Sequence, residues 1–218
     1  QATDTCACPT GKYTGSAGQT SCTDCEEGKY QGSTGTTVCT AAQQGYFASI
    51  SDTAVTSAAT GETQVAAGSY ACNAAEGTPD GVGVTTLASG QCACPAGKYT
   101  GSAGQTSCTA CESGKYQGST ASTECTDVSA GDYACLTGDT DGTGVTTLAT
   151  DTCACPAGYY ANGQRNTECT EVTAGNYACL SGDSDGTGET TQATDTCACP
   201  TGKYTGSDGQ TSCTDCEE

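Results

Sequence analysis

The chain has 218 residues, among them 20 Cys and 31 Gly against one Phe, no Trp and no Met. That inventory excludes one large apolar core and reads as a disulfide scaffold folded in an oxidising compartment, secreted or on a cell surface. The formal charge of −19, from 25 acidic and 6 basic residues, excludes nucleic acid and anionic membrane as partners and leaves cations, glycans and copies of the chain itself. No apolar run long enough for a membrane helix is present, so no direct membrane insertion is expected in this segment.

In chain order, the first element is Cys8 to Cys22, CPTGKYTGSAGQTSC. It recurs as Cys25 to Cys39, Cys94 to Cys108, Cys111 to Cys125, Cys155 to Cys169 and Cys199 to Cys213. Each copy reads as a short hairpin closed by one disulfide. Small β-formers and Tyr lead into a Gly/Ser/Gln tip, and Thr-Ser returns the strand to the second Cys. A Gly-x-aromatic triplet ends at Tyr13, Tyr30, Phe47, Tyr70, Tyr99, Tyr116, Tyr133, Tyr160, Tyr177 and Tyr204, several of them 17 residues apart. Ten beats mean ten small modules, each marked by the ring that ends its triplet. The rings are expected to cover disulfides and pack on the adjoining module; a row of exposed Tyr stacking on sugars is the alternative.

The third beat has Ala42 and Thr56 where a Cys pair is expected. Joint loss is what bonded partners show, since one leftover thiol invites exchange. The pairs are therefore Cys8–Cys22, Cys25–Cys39, Cys94–Cys108, Cys111–Cys125, Cys155–Cys169 and Cys199–Cys213. A loop of this size gains about 3 kcal/mol on closure in the chain-entropy model. The segment from Gln43 to Ala67 lacks cysteine, and Ile50, Ala54 and Val55 suggest a weak strand able to add to a neighbour's sheet edge.

A second module type carries Asp/Gly loops, and in it Val128 and Val172 replace the first Cys. Its natural pairs are Cys72–Cys92, Cys135–Cys153 and Cys179–Cys197. In each Cys-Ala-Cys an extended backbone sends both sulfurs to one side but spaced along the strand, so each bonds within a different module and adjacent modules are stitched together. The resulting segments are 1–41, two hairpin modules; 42–91, a cysteine-poor and an Asp/Gly-loop module; 92–127, two hairpins; 128–154, an Asp/Gly-loop module; 155–171, a hairpin; 172–198, an Asp/Gly-loop module; and 199–218, a hairpin that restarts the period.

That period comes from the ends. Residues 1–27 and 192–218 are identical except for Ala17 against Asp208, at an offset of 191. The expectation is one period plus an overlap, cut from a longer tandem array in which Gln1 is no natural start and Cys6 and Cys216 pair outside the segment; two homologous end modules in a natural chain are the alternative. The expected fold is small, disulfide-rich and mainly β or irregular: an elongated rod of tandem hairpins without a large hydrophobic core.

The motif CPTGKYTGSAGQTSC resembles the cysteine-rich repeats of ephrin-receptor-like and TNF-receptor-like ectodomains, in which Cys-Pro-x-Gly-x-Tyr begins a hairpin. Arrays of such repeats rich in Thr, Ala and Gly are typical of protist surface proteins, including ciliate immobilization antigens and flagellar-hair components. The resemblance covers six modules and implies an extracellular rod used as stalk, coat or fibre. The Gly-Asp-x-Asp-Gly-Thr-Gly modules depart from it.

Other chemistry finds little support. The Cys-x-x-Cys joints lack the His or the four-Cys cluster of a zinc site. Asp139, Asp141, Asp183 and Asp185 resemble the start of a calcium loop without its downstream Glu, and Asp-Gly is also a favoured hairpin turn; calcium is thus a weak alternative and no other cofactor is expected. No nucleophile and base are brought together, so no enzyme is expected. No Asn lies in an N-glycan acceptor, while Thr85, Thr86, Thr146, Thr147, Thr190 and Thr191 are candidates for O-linked sugar; the alternative is that Thr is simply a good residue for exposed strands. The expected function is a structural repeat protein of an extracellular filament or coat. A receptor or adhesin binding a protein or glycan is the alternative.

Overall fold

The computed structural model describes residues 7–73 and 80–217; Cys6 lies outside the described residues. It is a disulfide-rich, mainly β chain with no helix among them, built of short strands in small sheets. The chain forms two compact units, Gln1–Thr109 with Thr120–Glu124, and Ala110–Ser119 with Cys125–Glu218.

Each hairpin module starts with a turn. Lys12 N–H bonds the Pro9 carbonyl at 3.2 Å, and Gly11 between them has φ +78, the geometry of a type II turn that only Gly adopts without strain. The strand Lys12–Tyr13 then pairs with Thr23–Asp24, Lys12 opposite Asp24 and Tyr13 opposite Thr23. The returning strand is therefore the joint between two disulfides, not the Thr-Ser that precedes the second Cys, as the sequence suggested. The physical reason is that the tip of the loop inside the bridge directs its backbone groups to the preceding module, as Gly35 N–H does to the Cys8 carbonyl, leaving the joint to close the ladder.

The register explains the charges. Lys12 meets Asp24 at 2.7 Å, Lys115 meets Asp127 at 3.1 Å and Lys203 meets Asp215 at 3.6 Å. Where Ala41 stands opposite Lys29, Lys29 turns instead to Glu26 at 2.8 Å. Lys98 bonds the Asp80 carbonyl, and Arg165 lies 3.5 Å from Glu112 and 3.6 Å from Asp127. All six basic residues are thus occupied, and the acidic surplus is left on the surface.

The cysteine-poor module replaces its bridge with more sheet. Tyr46–Ile50 is the longest strand and pairs with both Thr53–Ala54 and Gly61–Gln64. Ser51 and Asp52 both have positive φ, 47 and 64, between Ile50 and its partner Thr53, which is the two-residue turn that matches strand twist. Ile50 and Ala54 thus lie in strands of one three-stranded sheet, in which Thr53–Ala54 is an edge strand. Phe47 is buried with Val65, Ala71 and Ala88, and Ala42, in the lost cysteine's position, is buried against Ala48 and Ala59.

The Asp/Gly modules carry four-residue strands: Ser69–Cys72 with Gly90–Ala93, Asp132–Cys135 with Asp151–Ala154, and Asn176–Cys179 with Asp195–Ala198. Tyr70, Tyr133 and Tyr177 are fully buried. Tyr133 packs on Cys135, Cys155 and the partly buried Cys153 and Cys169, so its ring covers two consecutive disulfides, and Tyr70 does the same between Cys72 and Cys94. Val128 and Val172 fill the missing-cysteine site with apolar contacts to Ala134 and Ala149, and to Ala178 and Ala193. Val65 does so in the first Asp/Gly module. The core is a series of such small clusters.

Candidate functional site

The feature that recurs in both units is the contact between modules. It begins at the loop tip, where Gly35, Ala58, Leu87, Gly104, Ala121, Leu148, Arg165, Gln192 and Gly209 all have positive φ. This conformation turns the tip N–H and carbonyl outward, the N–H to the preceding module and the carbonyl towards the one before it. Ala58 N–H donates to the Cys25 carbonyl at 3.0 Å, Ala121 to Cys94 at 2.9 Å, Arg165 to Val128 at 2.8 Å and Gly209 to Val172 at 2.7 Å. In every case the acceptor is the first-cysteine position of the preceding module, whether or not a cysteine stands there. A second bond runs the other way. The residue after the aromatic donates to the residue after the next tip, as in Gln31 to Ala59 at 3.0 Å, Thr100 to Ser122 at 3.2 Å and Ala161 to Ala193 at 3.0 Å.

The tip also reaches one module further. A Cβ on Gly11 would overlap the Ala58 carbonyl oxygen, one on Gly45 that of Gly104, one on Gly114 that of Arg165, and one on Gly158 that of Gly209. Each pair joins a module to its next-but-one neighbour. The sequence suggested contacts between adjacent modules only. A naked backbone at the Gly of Cys-x-x-Gly is what admits the more distant tip.

Six tips carry a side chain in a backbone region that costs an L-residue roughly 1–2 kcal/mol. Ala121→Gly is therefore expected to stabilise the chain by about 1 kcal/mol. Thermal denaturation of the oxidised protein checks this: an unchanged or lowered midpoint would mean the tip is not held left-handed.

The structure joins Cys8–Cys22, Cys25–Cys39, Cys72–Cys92, Cys94–Cys108, Cys111–Cys125, Cys135–Cys153, Cys155–Cys169, Cys179–Cys197 and Cys199–Cys213. Cys216 is an exposed free thiol. Each Cys-Ala-Cys sends its two sulfurs into different modules, as Cys92 to Cys72 and Cys94 to Cys108.

In the Asp/Gly loops the carboxylates serve their own turns. Asp141 Oδ1 accepts from Thr143 N–H and Asp185 Oδ1 from Thr187 N–H, both at 2.7 Å, while Asp139 and Asp183 donate backbone N–H groups to Leu136 and Leu180 at 3.0 and 3.1 Å. No group of three or more metal-ligating side chains occurs among the described residues. The loop is anchored from below, where Tyr133 Oη accepts from Gly142 N–H at 3.1 Å and Tyr177 Oη from Gly186 N–H at 3.1 Å. The six threonines Thr85, Thr86, Thr146, Thr147, Thr190 and Thr191 are exposed and stand immediately before or beside tips.

Burial holds the Tyr133 phenol above its ordinary range; the Gly142 N–H bond lowers it, and the carboxylates of Asp139 and Asp141 raise it further. Tyr30 is raised likewise, by burial first and then by Glu62. The unfolded phenol ionises near pH 10, about its model-peptide value. The fold keeps its proton longer, so this contribution to stability is complete below that pH and is lost as pH rises through the folded pKa. Tyr133→Phe strands the buried Gly142 N–H and should cost about 1–3 kcal/mol. Tyrosinate absorbance checks the titration: the variant should lose part of the late-ionising fraction, and an unaltered curve would contradict the burial of this ring.

Nine disulfides among the described residues place the folded chain in an oxidising, extracellular type of environment. No helix among the described residues is long and apolar enough to cross a membrane. Set against known proteins, the chain matches no family model and no curated sequence.

Proposed function

We propose that the chain is a structural repeat protein, the building material of an extracellular filament or cell-surface coat. The observation that carries this is the uniformity of the module contact. The tip bond accepts at Cys8, Cys25, Ala42, Val65, Cys94, Val128, Cys155 or Val172 alike, because it uses backbone atoms only. A ligand-binding protein concentrates distinctive side chains in one patch; a fibre repeats one generic contact, and this chain does the latter. The acidic surface keeps such material soluble and separates neighbouring fibres. Partners on this reading are copies of the same module, with O-linked sugar on the exposed Thr pairs.

Electron microscopy of native material tests the reading. Uniform fibres or a regular coat, with an axial repeat that corresponds to one 191-residue period, are expected. Dispersed particles that bind a defined protein or glycan would replace the structural reading with that of an adhesin.

A further inference from the structure

Asp or Asn is followed by Gly at five places: Asp80–Gly81, Asp141–Gly142, Asn162–Gly163, Asp185–Gly186 and Asp208–Gly209. Such a step is chemically fragile, since Gly has no side chain to hinder attack by its own nitrogen on the carbonyl carbon of the side chain before it. Four of the five are tied down at both reacting groups. Gly81 N–H donates to Tyr70 Oη at 3.4 Å, and Gly142 and Gly186 N–H donate to Tyr133 and Tyr177 Oη, both at 3.1 Å; these three Gly are buried. Their carboxylates are held as well, because Asp80, Asp141 and Asp185 Oδ1 accept from the N–H groups of Val82, Thr143 and Thr187, each at 2.7 Å. At the fourth, Gly209 N–H donates to the Val172 carbonyl at 2.7 Å and Asp208 Oδ1 accepts from Ala174 N–H at 2.8 Å. Asn162–Gly163 differs on every count. Both residues are exposed, Gly163 has φ +80, and a Cβ on it would meet nothing within 4 Å. Its carbonyl accepts from Asn166 Nδ2 at 3.1 Å, but among the described residues neither its N–H nor the Asn162 side-chain amide is bonded.

We propose that Asn162–Gly163 is a self-modification site, at which the folded, oxidised chain converts its own asparagine to aspartate and isoaspartate through a succinimide, while the fold shields its four Asp–Gly steps from the same ring closure. The Gly163 nitrogen, its proton taken by hydroxide or a buffer base, forms a bond to Asn162 Cγ. The Cγ–Nδ2 bond breaks and ammonia leaves with a proton returned to it. Water then opens the ring at one of its two carbonyls, which restores the Gly163 N–H and leaves a carboxylate in place of the amide. No oxidant or reductant takes part. A carboxylate is also a poorer electrophile than an amide, so chemistry and hydrogen bonding favour the same step. The change falls at a sensitive place in the module contact. Ala161 N–H donates to the Ala193 carbonyl at 3.0 Å and Arg165 N–H to the Val128 carbonyl at 2.8 Å, and the fragile step lies between these two anchors. Isoaspartate there adds a methylene to the main chain that joins them, so the chain records its age inside its own contact. This holds whether the chain builds a fibre or binds a ligand.

Peptide mapping by mass spectrometry tests this on the 218-residue oxidised chain, incubated at neutral pH and digested in mild acid so that the digest adds no conversion. Linear peptides that carry the same five steps give the unshielded rates. Asn162 should convert in the chain at a rate within about tenfold of its peptide, and each Asp–Gly step should form isoaspartate more than about tenfold slower than in its peptide, tenfold being a barrier difference of about 1.4 kcal/mol. Asn162→Gln, whose longer side chain would have to close a larger and less favourable ring, should remove the signal at this position. Conversion of Asn162 slowed by more than that factor overturns the proposal, because the fold then shields this step too. So does isoaspartate at Asp80, Asp141, Asp185 or Asp208 forming within that factor of the peptide rate, or a signal that survives Asn162→Gln.

Discussion

Reduction of the disulfides is expected to unfold both units, with loss of the tyrosine near-ultraviolet signal and expansion in size-exclusion chromatography. The largest buried clusters hold one or two rings or a few small aliphatics, far from a core able to offset chain entropy by itself. Each fourteen-residue bridge contributes about 3 kcal/mol in the loop-closure model, and whole domains are stable by only about 5–15 kcal/mol. Losing a few bridges therefore exhausts the stability. The module at residues 42–64 marks the exception that helps the argument. It has no bridge, and in its place stand the longest strand, a third strand and the chain's one Phe, Phe47. A reduced chain that kept its tyrosine signal and compact size would mean that contacts other than sulfur hold the fold.

The second large effect is expected from Gly114→Val. A Cβ there would overlap the Arg165 carbonyl oxygen and carbon, in backbone and not in a flexible side chain, and Gly114 has φ +75. Left-handed strain of about 1–3 kcal/mol adds to overpacking of about 1–3 kcal/mol, so the variant should lose several kcal/mol or fail to fold unit 2. Gly61→Val is the control, because Gly61 has ordinary φ and a Cβ there meets nothing within 4 Å; it should change stability by about 0.5 kcal/mol or less. Denaturant titration of the two oxidised variants gives the comparison. Equal midpoints would show that the next-but-one contact carries no energy.

Much of this was legible in the sequence because cysteine announces its own partner. The joint absence of a pair at Ala42 and Thr56, and the Cys-Ala-Cys spacing, led to the pairings that the structure contains, and the Gly-x-aromatic beat marked each module. Other features left no trace in residue type. The return strand is Thr23–Asp24 because of hydrogen-bond register, and Thr-Ser and Thr-Asp look equally strand-like on paper. The tip contact is made by backbone N–H and carbonyl groups, so positions as unlike as Ala58, Leu87, Arg165 and Gln192 share one conformation with no shared side chain to reveal it. One signal was available: the tips recur on a seventeen-residue spacing over Gly104, Ala121, Leu148, Arg165, Gln192 and Gly209, lengthened only by the Asp/Gly insertions. Val65, a third valine at the first-cysteine position, did leave a trace, because Val-x-Ala-Gly-x-Tyr-Ala-Cys is common to Val65, Val128 and Val172.

Amide hydrogen exchange of the oxidised chain tests the central contact most directly. Loop tips of disulfide hairpins ordinarily exchange fast, yet the N–H groups of Ala58, Ala121, Arg165 and Gln192 should be protected like strand amides, because each is bonded to the preceding module. Free-loop exchange at all four tips would contradict the account, leaving modules tied by sulfur and sequence alone.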